Sequence, residues 1–196
     1  FDKAIKLKPG FQEAFYNRGL ANYQLKKYET AIVDFDSSLV LNKTAEAYYY
    51  KGKCHYSLAK KDEAMADYSF ATNLNPSYVE ANYYKGEIQF EKGEFAEAIK
   101  SYSNVITIDK NHAFAYNDRG SAKRQLNDLK GAIEDYNKAI LINPNFAIAY
   151  NNLASAKRKN GDASGAISDY SKAILADPKY AIAYNNRGSA KYDKGD

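Results

Sequence analysis

The sequence predicts an all-α solenoid of stacked helix-turn-helix repeats, and three observations predict it. The first is a 34-residue period: AIAYNN at Ala147–Asn152 returns at Ala181–Asn186, and AFAYND stands at Ala113–Asp118. The second is a small–large–small pattern that recurs in phase on two helical faces of every period. The third is a proline that closes most periods, at Pro9, Pro76, Pro144 and Pro178. Self-similarity at this spacing marks units that bury their apolar faces only by stacking on neighbours.

Taken in order, residues 1–11 fit the end of a second helix, with Phe1, Ala4 and Pro9 in phase. Five full repeats follow at 12–44, 45–78, 79–112, 113–146 and 147–180, and 181–196 fits a further first helix. Each first helix carries Ala at its third position (Ala14, Ala47, Ala81, Ala115, Ala149, Ala183) and a small residue five further on (Gly19, Gly52, Gly86, Gly120, Ala154, Gly188). A turn around Lys26–Lys27, Gly93, Asn127 or Gly161 leads to the second helix. There Ala31, Ala64, Ala98, Ala132 and Ala166 are followed four residues later by Phe35, Tyr68, Tyr102, Tyr136 and Tyr170. Ser38, Ala71, Val105, Ala139 and Ala173 complete the face, and proline stops the helix because it lacks the N–H and disfavours α geometry just before it. Lys43 and Lys110 replace that proline, and the repeat at 12–44 is one residue short near Asn42–Thr44. These departures predict altered twist at two joints and the same fold.

Composition bounds the function. The 196 residues are 45% hydrophobic, with 19 Tyr and 9 Phe, which is too aromatic for a disordered chain. A single cysteine excludes a disulfide framework and any multi-cysteine metal site. No apolar run is long enough to insert in a membrane. The net charge of +4 permits an acidic partner without demanding one. With Phe at residue 1 and no leader pattern the chain reads as a piece of a longer one, and localisation is unreadable.

The pattern resembles the tetratricopeptide repeat (TPR) family, matched for instance by Tyr150, Ala154, Ala166, Tyr170, Ala173 and Pro178. The resemblance covers essentially the whole chain as one array. It implies a right-handed superhelical solenoid whose first helices line a concave groove, and a protein–protein interaction scaffold that binds an extended peptide segment of a partner.

Catalytic signatures are absent: there is no nucleotide-binding glycine loop, zinc-protease motif, C-x-x-C or G-x-S-x-G, so no enzyme and no cofactor is expected. His55 and His112 lack a second ligand at metal-binding spacing and read as satisfied or solvated histidines. Cys54 stands where other repeats have Ala21, Ala122, Ala156 and Ala190, as a small core filler. Asn42-Lys43-Thr44 is a glycosylation triplet that means nothing without a secretory context.

Within the first helices, positions 2, 5, 6, 9, 12 and 13 share the face assigned to the groove. Its first half is acidic and aromatic: Glu13, Glu46 and Glu80 at position 2, then Tyr16-Asn17, Tyr49-Tyr50 and Tyr83-Tyr84 at positions 5 and 6. Tyr23, Tyr56 and Phe90 stand at position 12, Glu87 and Glu91 add negative charge, and Lys53 is the exception. From residue 113 onward it is amide and basic: Asn117-Asp118, Asn151-Asn152 and Asn185-Asn186, with apolar Phe114, Ile148 and Ile182 at position 2 and Arg124 and Arg158 at position 12. A side-chain amide pairs bidentately with a peptide backbone. Adjacent first helices roughly 8–10 Å apart would meet an extended chain, advancing about 3.3 Å per residue, at every third residue. Such a ladder resembles that of tetratricopeptide proteins that grip peptide backbones, including the superhelical part of O-linked N-acetylglucosamine transferases. Repeats copied by duplication share surface residues whether or not these act, so inheritance is the competing reading, and for the tyrosines packing between repeats is another.

Position 5 is never Lys, so the array lacks the carboxylate clamp of chaperone-binding relatives. Charge would set ligand polarity, with the glutamates favouring basic residues and Arg124 and Arg158 acidic ones. Alternative functions are a substrate-recruiting arm of a larger enzyme such as a glycosyltransferase, and a structural element that self-associates end to end through uncapped repeats. Nucleic acid is disfavoured, because the acidic half of the groove repels phosphate.

Overall fold

The computed structural model describes residues 1–195, which form twelve α-helices and, among the described residues, no strand. They are α1 (Asp2–Leu7), α2 (Gln12–Gln24), α3 (Tyr28–Leu41), α4 (Ala45–Ser57), α5 (Lys61–Leu74) and α6 (Val79–Glu91). The rest are α7 (Phe95–Ile108), α8 (Ala113–Gln125), α9 (Leu129–Ile142), α10 (Ala147–Lys159), α11 (Ala163–Ala176) and α12 (Ala181–Lys194). The chain divides into two compact units, residues 1–88 and 89–196, with the division inside α6. In each unit a helix packs on its neighbours in sequence, and first helices also touch one another, as in α2 with α4 and α8 with α10.

Side-chain size sets the packing. In residues 1–88, Ala31, Ala47, Ala64, Ala71 and Ala81 are fully buried around Phe35 and Tyr68, both also at 0% exposure. In residues 89–196, Ala98, Ala115, Ala132, Ala139, Ala149, Ala166 and Ala173 enclose Tyr102, Tyr136 and Tyr170 in the same way. Small residues bring the helices close enough for the ring of each second helix to lie on the backbone of its first helix. At Gly52 the approach is so close that an added Cβ would lie 2.8 Å from the Tyr68 ring, and at Gly120 2.9 Å from Tyr136. Ala154 keeps a methyl at the equivalent place beside Tyr170.

Every turn from first to second helix places one residue in the left-handed region: Lys26, Ala59, Gly93, Asn127 and Gly161, with φ between 58° and 89°. Glycine is the residue suited to this cap; Lys26 and Ala59 adopt it without that freedom.

Helix ends show why proline is dispensable. Each proline stands two residues past the last helical residue, yet α3 and α7, followed by Lys43 and Lys110, stop at the same point of their repeats. In four of the connections between repeats the residue after the helix is Asn or Asp, and its side-chain oxygen accepts the N–H two residues on: Asn75 from Ser77, Asp109 from Asn111, Asn143 from Asn145 and Asp177 from Lys179, at 2.9–3.2 Å. This Asx turn competes with a further helical turn whether or not proline follows. In the shortened connection Thr44 caps α4, its Oγ1 accepting from the Ala47 N–H at 3.3 Å.

Candidate functional site: the amide and arginine face of the first helices

Asparagines at positions 5 and 6 of the first helices are bonded to one another across repeats in residues 89–196. The Asn152 Nδ2 donates to the Asn117 side-chain oxygen at 3.0 Å, and Asn186 Nδ2 donates to that of Asn151, also at 3.0 Å. Asn117 donates its own amide to Asp118 at 2.9 Å. Asn117 and Asn151 are buried, at 4% and 6% exposure, while Asn152 and Asn186 are half-buried. Sequence reasoning expected position 5 to meet a ligand along with position 6. In the structure neighbouring helices cover Asn117 and Asn151, and their side-chain oxygens hold the next repeat's amide in place. Asn185 is exposed on α12, and Asn17 is exposed on α2.

Asn186 lines a cleft of about 350 Å³ together with Ser155, Arg158, Lys159, Tyr170 and Asp193. Ser155 and the Tyr170 hydroxyl are 2.9 Å apart, and Ser121 and the Tyr136 hydroxyl 3.2 Å apart one repeat earlier. Arg158, expected from the sequence to face a ligand acid, donates its Nε to Asp193 at 2.6 Å. That contact holds its guanidinium above the ordinary arginine value. Arg124 differs: its Nε is buried with no hydrogen-bond partner. Position 2 is exposed here, with Phe114 at 55%, Ile148 at 48% and Ile182 at 56%, so the expected apolar stripe faces solvent.

In residues 1–88 the same face is a tyrosine cluster. Tyr49 is buried against Tyr78 (4.9 Å between ring centres), Tyr50 (5.1 Å) and Tyr84 (6.1 Å). Tyr49, expected from the sequence to face a ligand, has its ring packed among these tyrosines. Tyr16, Tyr50, Tyr83 and Tyr84 are half-buried, and Glu13, Glu46 and Glu80 are exposed. Lys53 lies 5.2–5.7 Å from the ring centres of Tyr23, Tyr49 and Tyr84, a cation held by three aromatic rings. Burial pushes the Tyr16 phenol up to about 12 and that of Tyr49 higher still. The Tyr68 hydroxyl is buried without a partner because Lys53 replaces the serine that meets Tyr136 and Tyr170.

One set of polar residues escaped sequence reasoning. Asp34, Asp67, Asp135 and Asp169 on the second helices are buried at 1–4% exposure, each beside cations or amides of its own first helix. Arg18 and Asn22 hold Asp34; Lys51 and His55 hold Asp67; Arg119 and Lys123 hold Asp135. Lys157 and Lys172 hold Asp169. In the repeat at 79–112 Ser101 takes the aspartate's place and bonds Gln89 at 2.7 Å. The signal was available: Asp or Ser immediately precedes every second-helix aromatic. His55 is thereby a structural partner of Asp67 at 2.6 Å, and His112 caps α8 by accepting the Ala115 N–H at 3.0 Å. Burial raises the Asp67 carboxyl against the pull of His55 and Lys51. Cys54 is fully buried and its thiol pushed up to about 12 by burial. Among the described residues no three His, Cys, Asp or Glu side chains group as metal ligands, and no helix is long and apolar enough to cross a membrane.

Helical pairs of this kind define a class of repeat protein, and comparison with known families names it. A TPR repeat model matches residues 86–123, 120–161 and 154–195, and two further tetratricopeptide repeat models match 1–42 and 45–78. The chain belongs to the tetratricopeptide repeat family. Among solved structures it is similar to YrrB, a TPR protein with an unusual peptide-binding site (TM-score 0.86, 19% identity, covering 96% of this chain and 97% of that one). It is also similar to MamA from Desulfovibrio magneticus RS-1 (0.80, 19% identity, 86% and 96%). A third is a chain of the APC/C hetero-tetramer Cut9–Hcn1 (0.75, 20% identity, 97% of this chain and 38% of that one). At these identities the likeness is one of fold. No curated protein matches the sequence significantly.

Proposed function

We propose that the chain is a protein-interaction module that binds an extended peptide segment of a partner along the face formed by its first helices. The observation that carries this reading is the state of the position-6 asparagines. In Asn152 and Asn186 one amide N–H is fixed by the preceding repeat, while the half-buried side chain keeps its oxygen and second N–H for another partner. An amide fixed in this way loses little rotational freedom on binding, which favours backbone recognition. YrrB, of similar fold, has a peptide-binding site. Exposed Phe114, Ile148 and Ile182 beside the amides would take apolar ligand side chains and so select sequence.

The test is selection of random dodecapeptides on the wild-type protein, followed by titration of an enriched peptide against the double variant Asn152→Ala with Asn186→Ala. Each backbone hydrogen bond contributes about 1 kcal/mol, so the variant is expected to bind tenfold or more weakly at unchanged helicity. Equal affinity, or no enriched peptide at all, would remove the reading.

A further inference from the structure

Contacts between successive first helices repeat with one register. Asn117 meets Asn152, Asn151 meets Asn186 and Arg158 meets Asp193, each pair 35 residues apart. The same register pairs Arg124 with residue 159, and there the sequence has Lys159 instead of an acid. The consequence is visible in the structure: Arg158 Nε donates to Asp193 Oδ2 at 2.6 Å, while Arg124 Nε is buried and donates to nothing. A buried charged donor without an acceptor is unfavourable, and an anion is the group that relieves it. Within α8 the only carboxylate is Asp118, and it accepts the Asn117 amide at 2.9 Å. Lys159 stands at the register position of the missing acid and brings a second positive charge there; its side chain also lines the cleft of Arg158, Asp193, Asn186 and Ser155.

We propose that Arg124 and Lys159 form a carboxylate subsite that takes an aspartate or glutamate side chain of a bound peptide, the ligand acid standing where Asp193 stands for Arg158. The site deepens the peptide-binding reading in its choice of ligand, while the unpartnered Nε of Arg124 exists independently of it. The guanidinium fork fits a planar carboxylate in two-point contact, which a lysine in its place would not.

The probes are N-acetyl-Ala-Glu-Ala-amide, its Gln counterpart and inorganic phosphate, read by the Arg124 Nε–H resonance in 15N-correlated spectra. In the wild type the glutamate peptide is expected to shift that resonance to saturation and the glutamine peptide is not. Arg124→Lys should weaken the glutamate peptide about tenfold or more, the loss of one charge-assisted hydrogen bond. Lys159→Asp supplies the absent acid from within: it should move the resonance without any probe, raise the melting temperature and abolish the response to glutamate. Lys159→Asp without effect on the resonance, or a glutamine peptide as effective as the glutamate one, overturns the site. Response to phosphate alone overturns its assignment to a carboxylate. The short probes span one repeat and need no asparagine ladder. Their binding with failure of every longer peptide would therefore count against the groove reading and leave this site standing.

Discussion

Asp135 lies between Arg119 (2.6 Å) and Lys123 (2.8 Å) with its side chain 5% exposed, so its charge is tolerated only while those cations are present. Replacing both cations by Met should destabilise the fold by about 3–5 kcal/mol, the effect of leaving a buried carboxylate unpaired. The pair Asp135→Ser with Lys123→Gln copies what Ser101 and Gln89 already do one repeat earlier, and should lose less than half as much. Urea unfolding midpoints of the two variants decide it; equal losses would show that the aspartate is not held by its cations. These aspartates were legible in principle, because Asp or Ser precedes each aromatic. A polar residue next to the core face reads as solvated until the partner helix is known, however, and periodicity within one helix does not reveal that partner. The burial of Asn117 and Asn151 was illegible for the same reason. The sequence shows the pairs of adjacent amides, but which of the two points outward depends on how the next repeat sits.

At the scale of the element, both helices of every repeat were readable, since the alanines and rings that recur in sequence are the ones found buried. Their stop signals were only half read. Proline marked the place, whereas the Asx turn at Asn75, Asp109, Asn143 and Asp177 makes the bend and works equally before Lys110. The turn inside the repeat carries a testable cost. Ala59 holds φ at 59° where Gly93 and Gly161 hold 79° and 89° without a side chain. Left-handed backbone costs a non-glycine residue about 1–2 kcal/mol, partly offset by the extra freedom glycine has when unfolded. Ala59→Gly should therefore stabilise the protein by about 0.5–1 kcal/mol. A lowered melting temperature for Ala59→Gly would show that the turn is relaxed with alanine in place.

For the molecule as a whole, buried phenols dominate the response to alkali. Burial raises Tyr16 to about 12, lifts Tyr49, Tyr68, Tyr78, Tyr136 and Tyr180, and raises the Cys54 thiol to about 12. A group whose folded pKa is raised contributes stability that is complete below its unfolded value, about 10 for Tyr and 8.5 for Cys. That contribution is lost as pH climbs through the folded value. Thermal stability should thus fall progressively from about pH 9 to pH 12, and absorbance titration should show a lagging class of tyrosines that ionises only as helicity is lost. Uniform ionisation of all the tyrosines near pH 10 with the helices intact would contradict this. The clustering of rings in residues 1–88 and of amides in residues 89–196 was plain from composition. What composition did not convey is that the rings mostly satisfy each other, whereas the position-6 amides keep polar atoms to spare.

The register of 35 residues has a consequence for how such a chain can change length. The first helices α8 and α10 each offer an acceptor to the next first helix, and α10 and α12 each present the matching donor to the one before. A duplicated or deleted unit in this stretch leaves one donor facing one acceptor at the new junction, so the polar seam closes over the scar. The Arg158–Asp193 contact lacks that neutrality. Its two halves differ in charge, and a copy that carries Lys at the acid's place, as residue 159 does, leaves its arginine open. Amide pairing makes these repeats interchangeable, and the residue at position 13 (Gln125, Lys159 or Asp193) gives each one an individual chemistry.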